Sequence, residues 1–490
     1  MTSRVSPGSS PAAAAAAART RRFSWNDLSD SRLPLLAGVT FLLASLPLYT
    51  SYENRAVLGR WSQEYVAAMA VVAGVWLLCV VVWRRAGRRG EPLSLPLRLF
   101  DLGVFLWGAG YLAGSLVDNT SASRLLDFKP FGSVSAVPAV VEWLALVVLV
   151  AAAAAAIART IPPSWHNAAL SVGVLAAIAL AGEGVARAKA IFFPSLSGFP
   201  TNASDIWMRR YVTKNTQGYR DEEHTLVKPA GTRRLVLVGD SYTYGWGIPR
   251  TADRLGEQLG ERLRAETGER WEVINLALPD QHTLEEVELA PVATTYDPDV
   301  VILVYVFNDI DYLSQSYGAQ AIISRNVLSE APRTILDRLH PVRLLYWNSY
   351  LFQEAYVRVR ALSWRFADYA SMKDLYADSA AIDTHMHDLE RFVRIASSGG
   401  ALMGIVPFDP SIVQYRHARN RYERFVETAE RRSLPVWSLR HAFGGHELEA
   451  LMISAIDGHP NELANALAAE AIAPVLLARL AERGAPAGTR

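Results

Sequence analysis

The stretch "LVLVGDSYTYGWGIP", residues 235–249, decides the fold of the second half of this 490-residue chain. Four aliphatic residues run directly into Gly239, Asp240 and Ser241. A short aliphatic run that ends in turn residues is typical of a buried strand, and glycine allows a tight turn after it. Ligands bind outside the carboxyl ends of the strands of a parallel sheet. We therefore predict a strand at 234–239 that delivers Ser241 to such an edge.

Strand and helix patterns alternate over the rest of this half, residues 187–490. Further strands are predicted at 272–276, 299–306, 402–407 and 434–437, and helices at 251–267, 283–295, 387–397, 414–432 and 461–483. This alternation predicts a three-layer α/β domain with a parallel sheet. Residues 311–386 interrupt it with a helical period, and we interpret them as a helical insertion, because long insertions after a strand are often lids or binding elements.

Two other strand ends carry polar groups toward the same edge. Asn308 follows a predicted strand, and its side-chain amide can donate a hydrogen bond to a developing oxyanion. An Asx turn after a strand explains this residue equally well. The segment "VINLALPDQHT", residues 273–283, ends a strand in a turn whose backbone N–H groups can complete an oxyanion hole.

A fourth motif, "AIDGHPNEL" at residues 455–463, precedes the last amphipathic helix. We predict that Asp457 and His459 lie in a loop and that Pro460 and Asn461 start the helix. A histidine that takes the proton of a serine needs a carboxylate to fix its tautomer and to stabilise the imidazolium, and Asp457 is the nearest candidate. An exposed loop histidine without a chemical role is the alternative for this stretch taken by itself.

Residues 202–485 resemble the SGNH (GDSL-like) hydrolase superfamily, because these motifs follow one another in its order and spacing. The resemblance implies that Ser241 is the nucleophile, His459 the general base and Asp457 the acid that orients the base. An acyl-enzyme on the serine would be the intermediate of such a mechanism.

The resemblance also implies an oxyanion hole formed by the backbone N–H of Ser241, the amide of Asn308 and an N–H near Asp280. Two positions depart from the family pattern. Asp280 stands where the family usually has glycine, and a carboxylate is a poor neighbour for a negative intermediate unless it points away. The acid is usually three residues before the histidine, which is Ile456 here, whereas Asp457 is two residues before it.

Five apolar runs mark the first half of the chain, each close to the roughly 20 residues that a helix needs to cross a bilayer. They lie at 33–51, 65–83, 100–117, 138–158 and 168–186. We predict a disordered cytoplasmic tail at 1–32, a transmembrane helical region at 33–186, a linker and entry segment at 187–232, and the SGNH-like domain at 233–490. Lys and Arg concentrate in the tail and in the loop after the second run, and such residues stay in the cytoplasm. An odd number of spans then places the α/β domain outside the cytoplasm.

These patterns predict a multi-pass protein of the inner or plasma membrane with an extracytoplasmic serine esterase. The segment "NTQGYRDEEHTLVKPAG", residues 215–231, resembles a membrane-linked branch found with bacterial envelope polysaccharide systems. The expected partners are therefore the lipid bilayer, an acylated carbohydrate substrate and proteins of polysaccharide biosynthesis. Transfer of the acyl group to a sugar, or glycan binding without catalysis, are the alternatives.

No cofactor, metal or nucleic acid is expected to take part. The net charge of +1 leaves no dominant basic face that would bind nucleic acid. Asp383 and His387 have the four-residue spacing of zinc ligands on a helix, but the sequence offers no obvious third ligand.

Overall fold

The computed structural model describes residues 74, 95–117, 131–196, 200–313, 341–359, 375–455 and 457–484. The chain forms two compact units, one comprising Met1–Ile191 with Thr334–Leu351 and the other Phe192–Arg333 with Phe352–Arg490. Residues 341–351 of the segment interpreted as an insertion therefore group with the N-terminal unit. Each unit is described below by itself.

Three helices form the described part of the N-terminal unit: α1 (Leu95–Val117), α2 (Ala136–Thr160) and α3 (His166–Phe192). α1 packs closely on α2 where glycine replaces a side chain, because a Cβ on Gly103 would lie 2.7 Å from Leu149. α2 meets α3 through the indole of Trp143, which donates to the carbonyl of Leu180 at 3.1 Å.

Two of these helices are long and apolar enough to cross a membrane, namely α2 and α3 with the turn before it. They correspond to the predicted spans at 138–158 and 168–186. The predicted span at 100–117 is helical as part of α1, but α1 is not among the candidates for crossing a membrane. The predicted spans at 33–51 and 65–83 and the tail at 1–32 lie outside the described residues.

A buried ion pair lies near the C-terminal end of α3 in this unit. Arg187 and Glu183, one turn apart on α3, meet at 2.7 Å with both side chains almost fully buried. The carboxylate of Glu183 also accepts hydrogen bonds from the Ser349 hydroxyl and the Tyr350 N–H. The guanidinium of Arg187 donates to the carbonyl of Asn348 at 3.1 Å. These contacts hold residues 348–350, at and beyond the end of helix α8 (Pro341–Asn348), in the N-terminal unit.

The second unit is an α/β domain around a parallel sheet, as the sequence predicts. After α4 (Asn202–Tyr211), its strands and helices follow in the order β1 (Thr232–Gly239), α5 (Ser241–Tyr244), α6 (Leu255–Thr267), β2 (Arg270–Ala277), α7 (Thr283–Thr295), β3 (Val300–Tyr305), a helical stretch at 352–359, α9 (Ser379–Ala396), β4 (Leu402–Pro407), α10 (Arg416–Arg431), β5 (Met452–Ser454), β6 (Asp457–Pro460) and α11 (Glu462–Gly484). The four long strands have the spatial order β2-β1-β3-β4, and β5 and β6 form a separate antiparallel hairpin.

The register of the sheet aligns the carboxyl ends of its central strands. Gly239 at the end of β1 is opposite Ala277 at the end of β2 and Val304 near the end of β3. All six residues of β3 and of β4 are buried, so the sheet centre is continuous apolar core. The turns that follow β1, β2 and β3 therefore emerge at one edge.

The predicted fifth strand at 434–437 is wrong. Only Val436 bridges to the sheet, as a single parallel partner of Ile405. The backbone of Ile405 exchanges two hydrogen bonds with this segment, donating to Pro435 and accepting from Trp437, each at 2.8 Å. Pro435 has no N–H to extend the ladder, so pairing stops after one bridge.

Two helix boundaries also differ from the predictions. The first helix after β1 begins at Ser241, because Asp240 caps a four-residue turn, whereas Thr251 only starts a short 3₁₀ segment before α6. α9 starts at Ser379, eight residues before the predicted helix, where the Asp378 side chain accepts from two backbone N–H groups. α11 is long and apolar enough to cross a membrane, yet it packs on α6 and β6 within this domain.

Candidate active site

Backbone geometry at the end of β1 presents Ser241 at the sheet edge. Gly239 lies so close to the neighbouring strand that a Cβ on it would come 2.8 Å from the carbonyl oxygen of Val304. The chain then turns, and the carboxylate of Asp240 accepts the N–H of Tyr242 at 2.9 Å, as an N-cap does. Ser241 is the first residue of the resulting helical turn, and its hydroxyl is only partly buried.

Asp457 and His459 lie on strand β6 of the hairpin, not in a loop as predicted. Successive side chains of a strand point to opposite faces, so residues two apart share a face. The two-residue spacing, which departs from the family pattern, therefore brings the carboxylate beside the imidazole. Ile456, at the usual position of the acid, lies outside the described residues.

These three side chains form one hydrogen-bonded chain. Nε2 of His459 lies 2.9 Å from Oγ of Ser241, and Nδ1 lies 2.5 Å from Oδ1 of Asp457. In the tautomer that this geometry favours, Nδ1–H donates to the carboxylate and Nε2 accepts the proton of the serine. The arrangement is that of a nucleophile, a base and a group that orients the base.

The environment of Asp457 keeps this carboxylate charged. Its side chain is only 1% exposed, and burial alone would raise its pKa. The interaction with His459 and hydrogen bonds from its ring and backbone outweigh burial, so the pKa of Asp457 lies below its ordinary value. The nearby indole N–H of Trp246 also lowers the pKa of Asp457, although it makes no hydrogen bond.

Two aromatic residues that the sequence analysis did not select flank the imidazole. The ring centroid of Tyr242 lies 5.4 Å from that of His459, and the ring centroid of Trp246 lies 5.9 Å from it. Tyr242 also packs edge-on against Phe408. In the sequence, only their position inside the stretch 235–249, which carries Ser241, connects these two residues with the site.

Asn308 and Asp280, the predicted oxyanion residues, follow the ends of β3 and β2 at the same sheet edge. Within the described part of the chain, no hydrogen bond occupies the side-chain amide of Asn308. Asp280 is exposed and adopts a φ of 68°, a left-handed conformation that favours glycine. The backbone of Asp280 thus has a glycine-like shape despite its side chain. Partial burial and the nearby Glu285 raise the pKa of its carboxyl, against a smaller opposite effect of His282.

Three other carboxyl groups lie buried beneath the sheet edge: Asp240, Glu286 and Asp309. Burial raises the pKa of each, and repulsion within the group raises the pKa of Glu286 and Asp309 well above the ordinary value. Asp309 accepts the N–H of Val306 with its side chain and that of Thr283 with its backbone carbonyl. It thereby ties the turn after β3 to the start of α7.

His387, considered above with Asp383 as a metal ligand, and the nearby His385 have other surroundings. His385 is fully buried, with Nε2 2.9 Å from the hydroxyl of Tyr305 and Nδ1 3.4 Å from that of Tyr312. His387 is mostly exposed and pairs with Glu390 on the same helix. No group of three His, Cys, Asp or Glu side chains that could hold a metal occurs in the described ranges.

Burial lowers the pKa of His385 to about 3, and this predicts a pH-dependent stability. In the unfolded chain this histidine takes up a proton as the pH falls through about 6.5, whereas the buried imidazole of the folded chain stays neutral until about pH 3. The stability that depends on the neutral imidazole is therefore fully present above pH 6.5 and is lost progressively as the pH falls from there toward 3. Between pH 6.5 and 4.5, the free energy of unfolding should fall by about 2.5 kcal/mol more in the native protein than in His385→Gln. Urea unfolding of the detergent-solubilised chain, followed by tryptophan fluorescence, measures this difference.

His387→Gln is the matched control, since it removes an exposed histidine from the same helix. Its unfolding free energy should follow that of the native protein at every pH. An equal pH dependence in the native protein and in His385→Gln would contradict the neutral state of the buried imidazole.

Comparison with known proteins places this geometry in a wider context. Residues 237–467 match the model of the GDSL-like Lipase/Acylhydrolase family. No curated protein matches the chain. The match of residues 237–467 identifies a GDSL-like lipase/acylhydrolase domain, and it supports a hydrolase that acts on ester bonds.

Similar solved structures include two enzymes named for ester chemistry. The lipase/acylhydrolase from Enterococcus faecalis is 17% identical, over 50% of this chain and 96% of that one, with a TM-score of 0.31. The Clostridium thermocellum family 3 carbohydrate esterase is 10% identical, over 52% and 100%, with a TM-score of 0.32.

Proposed function

We propose that this chain is a membrane-anchored serine esterase that cleaves acyl esters of a cell-envelope carbohydrate outside the cytoplasm. The observation that carries the proposal is the hydrogen-bonded chain from Ser241 through His459 to Asp457. Packing alone does not require a partly exposed serine that is aligned with an imidazole and with a buried, charged carboxylate.

The proposed reaction has two steps. His459 Nε2 takes the hydroxyl proton as Oγ of Ser241 attacks the ester carbonyl, and Asp457 stabilises the imidazolium that forms. The tetrahedral intermediate collapses, the C–O bond to the sugar breaks, and the imidazolium returns the proton to the leaving sugar oxygen. Water, deprotonated by the same imidazole, then attacks the acyl-serine; the bond between the acyl carbon and Oγ breaks, the imidazolium returns its proton to Oγ, and a carboxylic acid leaves.

The negative oxygen of the tetrahedral intermediate needs hydrogen-bond donors. We assign this role to the backbone N–H of Ser241, the amide of Asn308 and the N–H of Asp280, because the sheet register brings their three turns to one edge. The positive φ of Asp280 supports the last assignment, since it reproduces the backbone of the glycine usual at this position.

The membrane location and the carbohydrate substrate rest on separate observations. Two described helices of the N-terminal unit are long and apolar enough to cross a membrane, and Arg-rich segments at the tail and at 84–89 suggest which loops stay inside. The segment at 215–231 supports an envelope carbohydrate and partners in polysaccharide biosynthesis through its resemblance alone. Water as the acyl acceptor is the simplest case, and a sugar hydroxyl would make the enzyme an O-acyltransferase.

A covalent acyl-enzyme is the first expected outcome of this proposal. The full chain in detergent, incubated with p-nitrophenyl acetate, should release nitrophenol and gain one acetyl group by intact mass. Ser241→Ala should lose the adduct and at least about 10³-fold of the rate, because no nucleophile remains. Ser397→Ala, at the far end of α9, is the control and should behave as the native protein does.

Acceptor dependence separates hydrolysis from transfer in the same assay. Faster nitrophenol release on addition of an oligosaccharide, with acetyl recovered on the sugar, would identify a transferase. A folded native chain with neither turnover nor adduct would contradict the esterase and favour a glycan-binding role.

The carboxylate of Asp280 should slow the reaction, because negative charge near the oxyanion opposes its formation. We expect Asp280→Gly to raise the acylation rate roughly three- to tenfold at neutral pH, by removing repulsion of about 1 kcal/mol. The gain should shrink in acid, where the carboxyl with its raised pKa becomes neutral. Stopped-flow release of nitrophenol measures the rate.

Asp297→Gly is the matched control for this experiment. Among the described residues, Asp297 is the other aspartate with positive φ, at 50°, and it lies before the start of β3 at the opposite end of the sheet. The Asp297→Gly substitution should leave the acylation rate unchanged. An equal response of the two variants, or a slower Asp280→Gly enzyme, would contradict the placement of Asp280 beside the oxyanion.

The orientation in the membrane is testable by cysteine labelling. In a Cys79→Ser background, Gly399→Cys introduces a thiol on an open surface of the α/β domain, and Arg88→Cys introduces one in the Arg-rich segment. A membrane-impermeant maleimide should label Gly399→Cys in intact cells but Arg88→Cys only after permeabilisation. The reverse pattern would place the esterase in the cytoplasm.

A further inference from the structure

Arg220, in the segment before β1, is buried in an unusual way. Its side chain is 1% exposed, and its hydrogen bonds go to backbone carbonyl oxygens, not to carboxylates. The oxygens of Gly245 and Ile248 lie 2.7 Å and 2.6 Å from its guanidinium, and those of Tyr211 and Pro249 lie at 3.1 Å and 3.2 Å. Most of these acceptors belong to one loop, residues 245–249, directly after the helical turn of Ser241.

Aromatic rings complete the surroundings of this guanidinium. Its central carbon lies 5.3 Å from the ring centroid of Trp207 and 5.7 Å from that of Tyr244. Burial and the neighbouring Arg254 lower the pKa of Arg220 to about 10, so it remains charged at neutral pH. A buried cation whose two terminal nitrogens donate to carbonyl oxygens ties down the backbone that supplies them.

The loop at 245–249 in turn touches the hairpin that carries the base. The ring of Trp246 lies against His459, with centroids 5.9 Å apart. Gly247, with a φ of 83°, packs so closely on β5 that a Cβ would lie 2.7 Å from Ile453. The loop therefore contacts both strands of the β5–β6 hairpin.

We propose that Arg220 is a positioning residue, which fixes the loop at 245–249 so that Trp246 and Gly247 hold His459 within reach of Ser241. The proposal rests on the proposed esterase function and adds to it a residue that touches no substrate. The guanidinium suits this task because its planar fork presents five N–H donors. The ammonium of lysine, a compact group with three donors, cannot span the same set of carbonyls.

Arg234 provides a matched comparison at the other end of the same strand. It is fully buried and donates to the carbonyls of Thr225, Leu226 and Tyr296, besides an ion pair with Glu272. It lies near the start of β1, away from the edge that carries Ser241. A lysine at either position loses comparable buried hydrogen bonds, but only one of them faces the active-site loop.

The experiment compares Arg220→Lys with Arg234→Lys in the full chain, in detergent. Both variants should show lowered thermal stability. Arg220→Lys should lose about 10- to 100-fold in kcat for p-nitrophenyl acetate with KM little changed, and the acidic limb of its pH profile should move. Arg234→Lys should keep the native kcat and pH profile. Equal kinetic losses in the two variants, or native kinetics in Arg220→Lys, would overturn the positioning role.

A second readout does not depend on turnover. In protein labelled with 5-fluorotryptophan, the fluorine signal lost in Trp246→Phe identifies Trp246, and it should shift as His459 takes up a proton. This response should vanish in Arg220→Lys and persist in Arg234→Lys. A native chain without esterase activity but with this pattern would reject the proposed function and keep the positioning role. The same fluorine titration in native protein and in Arg220→Lys would reject the positioning role.

Discussion

The parallel pairing of β1 with β2 on one side and with β3 on the other is the constraint on which the site depends. It places Gly239 opposite both Ala277 and Val304, so three turns leave the sheet at one edge. The aliphatic side chains of these strands are almost completely excluded from water, which makes a slip in register costly. The serine and the two turns proposed to bind the oxyanion are therefore held by the core and not by contacts of their own.

The proposed base, His459, and its proposed acid, Asp457, reach this edge in a different way. They lie more than 200 residues after the serine, on a two-stranded hairpin that does not pair with the main sheet. A strand shows residues two apart on one face, and so Asp457 orients His459 without the longer spacing common in the family. A hairpin of this size has few hydrogen bonds of its own, which explains why its contact with the loop at 245–249 matters for the geometry.

The sequence predicted the layers of the α/β domain and the residues of the hydrogen-bonded chain, because both leave local marks. Aliphatic runs mark β1 to β4, Ser241 and His459 stand in motifs that resemble those of the family, and Asp457 is the carboxylate next to His459 in its motif. The errors lie where a distant partner decides the structure. The segment at 434–437 looks like a strand, but it meets its neighbour through a single bridge beside a proline.

The hairpin of β5 and β6 and the contacts of Arg220 could not be predicted for the same reason. The residues that a buried guanidinium contacts, or that pair in such a hairpin, are not neighbours in the sequence. No periodicity in the sequence therefore predicts their contacts. Glu183 in the N-terminal unit is a further case. Nothing near Glu183 in the sequence marks its carboxylate as the partner of the distant Ser349 and Tyr350.

The charges around the serine follow from burial as much as from residue type. Asp240, Glu286 and Asp309 are deeply buried with raised pKa values, which favours their neutral forms. Asp457 is nearly as buried, yet His459 lowers its pKa and keeps it ionised. An ester hydrolase must stabilise one negative oxygen and one imidazolium in the same step, so carboxylates that oppose the first must be neutral while the one that supports the second must be charged. Among these four carboxyl groups, Asp457 alone forms a hydrogen bond with the imidazole of His459.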